Sequence, residues 1–322
     1  MFIYRHILKE ALVTAWTRKE LWFFGLFAAV LNTGSVLDTL VRTFRHTVSV
    51  ESVQDAWLSA VPGLPTFIDY VQTFALLSEE RRLLMTALLL IGGSVLVLLS
   101  VNGQANLFHH LKQKTRKTMW WHSAPLVLGR LLLLNLIARV LLMSLGGFAG
   151  SILASLSTAD LATNTLVTFA TLVFFVPLGL LIGAISLLAM VEITLKKKTL
   201  TTSITDAFEI LRHHGVAVLE TSILLFLASL LGTLVLIGLL FLLALPYVLL
   251  VLASLTTGSL LLWTILTILG GASAVILILL FGGFLTSFVY TTWYLVYQKL
   301  ALRSVAVSKL ERLLCVQRSP LH

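Results

Sequence analysis

Charged residues are scarce in this chain. Asp, Glu, Lys and Arg make up 11% of its 322 residues, whereas apolar side chains make up 58%. Soluble globular proteins carry about 25% charged residues, so the composition excludes an ordinary soluble protein and also a disordered one. Cys315 is the single cysteine, and a disulfide-stapled secreted domain is therefore excluded as well. The class that remains is a multi-pass membrane protein.

Long apolar runs support this class. A transmembrane helix needs roughly 20 apolar residues to cross about 30 Å of hydrocarbon. We predict an all-α, polytopic transmembrane helix bundle over residues 1–300, followed by a cytoplasmic tail over 301–322. An outer segment, 38–82, joins the first two spans. The six predicted spans are at about 21–37, 83–108, 129–156, 166–193, 216–245 and 262–298.

The last two predicted spans share one very long apolar run. No Asp, Glu, Lys, Arg or His occurs in residues 221–298. A hairpin of two long helices accounts for this run if its turn lies near Pro246 to Gly258. Four shorter spans also fit its length, and an eight-span chain is therefore the alternative.

Basic residues are concentrated on one predicted side of the membrane. The N-terminal segment, the second and fourth connections and the C-terminal tail hold most of the 23 Lys and Arg residues. The other side holds Arg42, Arg45, Arg81 and Arg82. Because cytoplasmic loops carry the excess of Lys and Arg, we predict that both termini are cytoplasmic.

The net charge of +9 follows from this arrangement. Basic side chains at helix ends are attracted to anionic lipid headgroups, which we predict to be partners of the cytoplasmic face. Nucleic acid is not predicted, because the basic residues are dispersed over helix ends. A protein partner and a homo-oligomer both remain open.

Three cytoplasmic segments share an amphipathic pattern, with an Ala and then a basic residue before an apolar span. These pairs are Ala11 and Arg18, Ala124 and Arg130, and Ala207 and Arg212. Apolar residues at helical spacing, as in the first and third segments, are typical of helices that lie in the headgroup plane. We predict three such elbow helices and, as a hypothesis, a threefold pseudo-repeat of one elbow and two spans. The alternative is that any connecting helix at an interface has one apolar face.

Polar side chains inside the spans are candidates for a functional site, because each is costly to place in hydrocarbon. The candidates are Arg139, Glu192, Glu220, Asn102, Gln104 and Asn135. At about 1.5 Å per residue, Arg139 lies about 13 Å along its helix from Arg130, and the other five are also expected in the inner half of the bilayer. We expect Arg139 to pair with Glu220 or Glu192.

Signatures of catalysis and of cofactor binding are missing from the sequence. No predicted span contains Asp or His, so neither a paired-aspartate site nor a Ser–His dyad is expected within the membrane. Histidines at the cytoplasmic rim, such as His109 and His110, lack the HExxH pattern of a zinc site. We predict no metal, no cofactor and no enzymatic activity.

Three short stretches carry a resemblance to known proteins: residues 100–105 (SVNGQA), 207–212 (AFEILR) and 291–300 (TTWYLVYQKL). Together with the elbows and spans, they resemble a loose group of uncharacterised bacterial six-span membrane proteins. That group includes the membrane domain found with some glycerophosphoryl diester phosphodiesterases. The resemblance implies a bundle in the bacterial cytoplasmic (inner) membrane. It implies no catalytic residues, and phosphodiesterase activity is not inferred from it, because the soluble catalytic domain of some members is not found in this sequence.

Two functions fit these observations. The first is transport, or the handling of a lipid or small solute, through a polar layer in the inner half of the bilayer. The second is a non-transporting membrane scaffold or regulatory subunit that docks a partner through its elbows and basic loops. A water-filled cavity lined by the candidate residues favours the first, whereas a dry, buried Arg–Glu network favours the second. We favour the first.

Overall fold

The structure is a computed structural model that describes residues 2–29, 78–112, 125–155, 161–257 and 260–301. These residues are helical apart from short turns, and they contain no strand. The helices are α1 (Phe2–Thr17), α2 (Glu20–Ala29), α3 (Glu79–Lys112), α4 (Pro125–Ser155), α5 (Leu161–Lys196), α6 (Leu200–Thr257) and α7 (Leu260–Ala301). The prediction of an all-α fold is therefore confirmed.

Helices α3 to α7 are each long and apolar enough to cross a membrane. These five helices fit a multi-pass transmembrane protein. The first predicted span, 21–37, overlaps the short apolar helix α2 and then passes outside the described residues. Most of the outer segment, the second elbow up to residue 124 and the C-terminal tail from 302 lie outside them too, so the number of six spans stays a prediction.

The charge-free run folds as one hairpin. Helix α6 continues through Pro246 to Thr257, beyond the predicted limit of 245, and α7 begins at Leu260. A proline in a helix removes one backbone hydrogen bond and usually introduces a kink, but apolar surroundings favour continued helix over exposed backbone groups. Two long helices therefore occupy this run, in place of the four short spans of the alternative.

Two cytoplasmic elbows were predicted within the described residues, and both segments are helical. Helix α1 buries Ile7, Ala11 and Ala15, which recur every fourth residue and so form one stripe. In α6, His214 has non-helical backbone angles (φ −127°, ψ 31°) that separate residues 200–213 from the long apolar part. Ala207 in this first part is also buried.

The packed core lies at one end of the bundle. This end, here called the basic end, carries Lys112, Arg130, Lys196 and Lys299 at the helix termini. Nearly all buried apolar side chains belong to the helix segments next to these residues, and they form one cluster. The opposite halves of α3 to α7 expose many large apolar side chains. Exposed apolar area of this extent is suited to lipid and not to water.

Helices α2 and α7 approach each other closely at two glycines. A Cβ atom at Gly25 would lie 2.3 Å from the Gly283 carbonyl oxygen, and a Cβ atom at Gly283 would lie 2.7 Å from the Trp22 carbonyl oxygen. The Ser287 hydroxyl donates a hydrogen bond to the Leu21 carbonyl oxygen across this contact (2.7 Å). Small residues of this kind allow backbones to meet and fix α2 against the bundle.

Candidate functional site

Four of the six predicted polar residues lie in two places near the basic end, and Asn102 and Glu220 belong to neither. One lies between α3 and α4, where Gln104 and Asn135 meet. The other lies where α5 joins α6, around Glu192. The structure does not bring all six candidates into one layer.

Gln104 and Asn135 form a hydrogen bond between two apolar helices. The Asn135 Nδ2 group donates to the Gln104 Oε1 atom (2.8 Å) and also to the Leu131 carbonyl oxygen on its own helix (2.9 Å). Such amide pairs commonly join membrane helices, because a lone amide in hydrocarbon is costly. This bond fixes how far α3 and α4 slide along each other.

Two buried polar atoms beside this bond have no hydrogen-bond partner among the described residues: the Gln104 Nε2 group and the Ser100 hydroxyl. Gln104 is 1% exposed and Ser100 is 0% exposed. The two residues are one turn apart on α3 and so lie on the same side of the helix. Buried polar groups are nearly always hydrogen-bonded, so these two require an explanation.

Arg139 follows Asn135 by one turn on α4, and its side chain is half-buried. No Asp or Glu carboxylate of the described chain lies within 4.0 Å of its guanidinium group. The predicted ion pair of Arg139 with Glu192 or Glu220 is therefore not formed. Arg139 is thus a cation within an apolar helix, and the described part of the chain gives it no carboxylate partner.

Glu192 instead binds groups at the end of its own helix and on α7. Its side chain is 2% exposed. The Oε1 atom accepts hydrogen bonds from the Lys196 ammonium group (2.9 Å) and from the Tyr297 hydroxyl. The Oε2 atom lies 3.4 Å from the Lys198 ammonium group. The carboxylate thus joins α5 to α7 and to the connection that leads into α6.

This connection, residues 197–199, is held from two sides. Lys198 also donates to the Asp206 carboxylate at 2.5 Å, and this hydrogen bond raises the pKa of Lys198 above its ordinary value. Arg130, from α4, donates to the carbonyl oxygens of Lys197 and Lys198, both at 3.0 Å. Lys197 has the left-handed backbone conformation (φ 54°) that ends many helices. The side chains and the backbone conformation together fix the angle between α5 and α6.

The register of α4 and α5 explains why Arg139 and Glu192 do not meet. Arg130 is level with Lys197 and Lys198, because it binds their carbonyl oxygens. From that level Arg139 lies about 13 Å along α4, whereas Glu192 lies only about 8 Å back along α5. The lysines at the end of α5 are nearer, and they neutralise the carboxylate first.

The remaining two candidates belong to neither group. The Asn102 side-chain oxygen accepts a hydrogen bond from Asn106 Nδ2 within α3 (2.8 Å). Glu220, on α6, is half-buried and has no ion pair within the described chain. Neither residue takes part in the contact between α3 and α4.

Sequence reasoning missed Ser100 and the partners of Glu192. These partners are Lys196, Lys198 and Tyr297. The signal available for Lys196 was its position four residues after Glu192, which places the two on one helical face. No local pattern indicates the contact of Tyr297, because it lies on a helix distant in sequence.

The contact between α3 and α4 offers hydrogen-bond donors and one positive charge, and the Glu192 network is internally neutralised. Within the described ranges, no group of three or more His, Cys, Asp or Glu side chains is placed to hold a metal ion. Compared with models of known protein families, with curated proteins and with solved structures, the chain shows no match.

Proposed function

We propose that this protein handles a lipid or a small solute at the polar layer between α3 and α4, in the inner half of the cytoplasmic membrane. The observation that carries the proposal is the state of Arg139. It lies one turn from the bond between Gln104 and Asn135, within an apolar span, and no described carboxylate neutralises it. A charge that costs free energy in the membrane, and that no described carboxylate neutralises, is best explained by a bound molecule.

The proposed arrangement in the membrane has six spans and cytoplasmic termini. The basic end would then face the cytoplasm of a bacterial cell, in accordance with the distribution of Lys and Arg. There, α1 and residues 200–213 would lie at the headgroups as elbows, and the basic side chains would contact anionic lipids. A protein partner or a second copy of the chain is compatible with this arrangement.

Two equivalent contacts support the hypothesis of a repeat. Arg18, after the first elbow, donates to the His110 carbonyl oxygen near the end of α3 (3.2 Å). Arg130, at the start of the third predicted span, donates to the carbonyl oxygens that follow α5. In the first two of the three proposed units, the arginine near the start of the first span binds the carbonyl end of the second span.

Cysteine labelling, which reports whether water reaches the polar layer, tests the proposed function. Cys315 is first replaced by Ser, and a cysteine is then introduced by Asn135→Cys or, as the matched control, by Val140→Cys on the exposed apolar side of α4. A small water-soluble thiol reagent needs water at the thiol, because the thiolate is the reacting form. We expect labelling at position 135 and none at position 140. No labelling at 135 would mean a dry contact and would contradict the proposal.

The scaffold function has one observation in its favour. The Glu192 network is centred on a buried carboxylate and joins α5, α6 and α7 at the basic end, which is what a rigid docking surface requires. If position 135 is dry, this second function becomes the better explanation.

A further inference from the structure

Helix spacing from the bond between Gln104 and Asn135 places Ser100 and Arg139 at about the same level along α3 and α4. Gln104 lies near the C-terminal end of α3 and bonds Asn135 in the first part of α4, so the two helices run in opposite directions. Starting from Gln104 and Asn135 and moving one helical turn away from the basic end, about 5.4 Å along each axis, one reaches Ser100 on α3 and Arg139 on α4. These two residues therefore lie at about the same level. Four polar groups therefore follow one another along this contact.

The hydrogen-bonding capacity of these groups is unbalanced. The Gln104 Nε2 group and the Ser100 hydroxyl are buried donors with no partner in the described helices. The Arg139 guanidinium has donors and no acceptor, and it carries a full positive charge. Within the described chain, no carboxylate reaches Arg139 to balance these donors. An anion with several oxygen atoms has the acceptors and the charge that these groups could bind.

We propose that this contact binds a phosphate group, carried either by a phospholipid headgroup or as free phosphate. The inference rests on the proposed function and names the chemical class of its ligand. A guanidinium group binds two phosphate oxygens at once, and the remaining oxygens are available to a hydroxyl and an amide donor. A chloride ion has one centre and matches such a spread of donors less well.

Access for a lipid is provided by the side of α4 next to Arg139. Leu136 and Val140, which flank Arg139 on this helix, are both more than half exposed. The outer halves of α3 and α4 are also exposed and apolar. A phospholipid with its phosphate at Arg139 would therefore lay its acyl chains along a surface already suited to them.

Binding measurements on the delipidated, full-length protein in a neutral detergent test this inference. The probes are phosphatidylglycerol, diacylglycerol as the lipid without phosphate, and inorganic phosphate. The variants are Arg139→Gln and the matched control Arg81→Gln, which removes an exposed charge at the start of α3. We expect Arg139→Gln to raise the Kd for phosphatidylglycerol about tenfold or more, since hydrogen bonds to a charged group are lost. Arg81→Gln should leave the Kd unchanged, and diacylglycerol should bind weakly to all three proteins.

Competition separates the two sources of phosphate. If inorganic phosphate displaces phosphatidylglycerol from the wild type and does not bind Arg139→Gln, the ligand is free phosphate. If phosphatidylglycerol binds in an Arg139-dependent way and inorganic phosphate does not compete, the ligand is a lipid headgroup. An equal Kd for phosphatidylglycerol in the wild type and in Arg139→Gln would overturn the proposal.

A second variant keeps the test decisive if Arg139→Gln folds poorly. Gln104→Glu has almost the same shape and supplies a carboxylate one turn from Arg139. It should lose phosphate binding and, without added ligand, melt no lower than the wild type. Unchanged binding in this variant would also refute the inference. If Asn135→Cys is labelled but the protein binds no phosphate, the proposed handling of a solute still stands and only the proposal of an anionic ligand is refuted.

Discussion

Replacing Glu192 by Gln tests whether the network between α5, α6 and α7 stabilises the fold. The substitution keeps the shape of the side chain and removes its charge. One oxygen remains to accept from Tyr297, but the new amide group presents donors to the ammonium group of Lys198, which is also a donor. Lys196 then donates its hydrogen bond to a neutral amide oxygen instead of a carboxylate oxygen.

The size of the effect follows from burial and from distances. Glu192 is 2% exposed, while Lys196 and Lys198 have side chains that are 47% and 37% exposed. Hydrogen bonds to charged groups contribute about 1.5–3 kcal/mol, but lysines that reach water recover part of this when the pair is broken. We therefore expect Glu192→Gln to lower the free energy of unfolding by about 2–3 kcal/mol, less than the 3–5 kcal/mol of a fully buried pair.

Thermal unfolding in detergent measures this change. A loss of this size should lower the melting temperature by about 4 °C or more. Glu209→Gln is the matched control, because Glu209 is 59% exposed and lies 3.9 Å from His213, so its effect should stay within about 0.5 kcal/mol. Combining Glu192→Gln with Lys198→Met should cost less than the sum of the single changes. If Glu192→Gln melts within a degree of the wild type, the network does not stabilise the bundle.

Three further measurements test the contact of α2 with α7, the charge of Lys198 and the third elbow. Gly25→Ala should lower the melting temperature by several degrees, because its Cβ would lie 2.3 Å from the Gly283 carbonyl oxygen, whereas Gly93→Ala, with no atom within 4 Å, should not lower it. The pKa of Lys198 is raised above the ordinary 10.5, so its contribution to stability is complete below that pH and is lost as the pH rises through the raised value. The melting temperatures of the wild type and of Lys198→Met should therefore converge in alkaline solution, and a constant difference would refute the assignment. A spin label at Phe208, which is 58% exposed, should contact lipid and a label at Glu209 should contact water; equal water contact would mean that residues 200–213 do not lie in the membrane surface.

The sequence predicts the long helices of this fold well, because their signal is local. Long apolar runs with few charges give α3 to α7, and the stripe of Ile7, Ala11 and Ala15 is visible as helical spacing before any packing is known. The end of α6 is less predictable. A span is expected to stop after roughly 20 residues and at a proline, yet α6 continues through Pro246 because its neighbour α7 runs alongside it.

The sequence predicts which residues belong to the candidate site, but not which of these residues contact each other. Counting residues from the membrane edge gives the depth of Arg139, Gln104 and Asn135, and the bond between the two amides is consistent with that depth. Depth along each helix does not say which helices are neighbours or how they slide. The contact of Arg130 with the carbonyl oxygens after α5 sets this register, and no pattern in the sequence indicates a side chain that binds the backbone of a distant turn.

Glu192 and Arg139, which were expected to pair, lie in different surroundings, and this difference bears on function. Glu192 lies within reach of lysines whose ammonium groups extend to water, so folding alone accounts for its place. Arg139 has no such neighbour among the described residues, and a basic residue at the centre of a span costs about 2.5–3.5 kcal/mol on insertion scales. Stability by itself would favour an apolar residue at position 139, next to Leu136 and Val140. Arg139, which the stability of the fold alone does not explain, is therefore the position where a bound anion would stabilise the protein most.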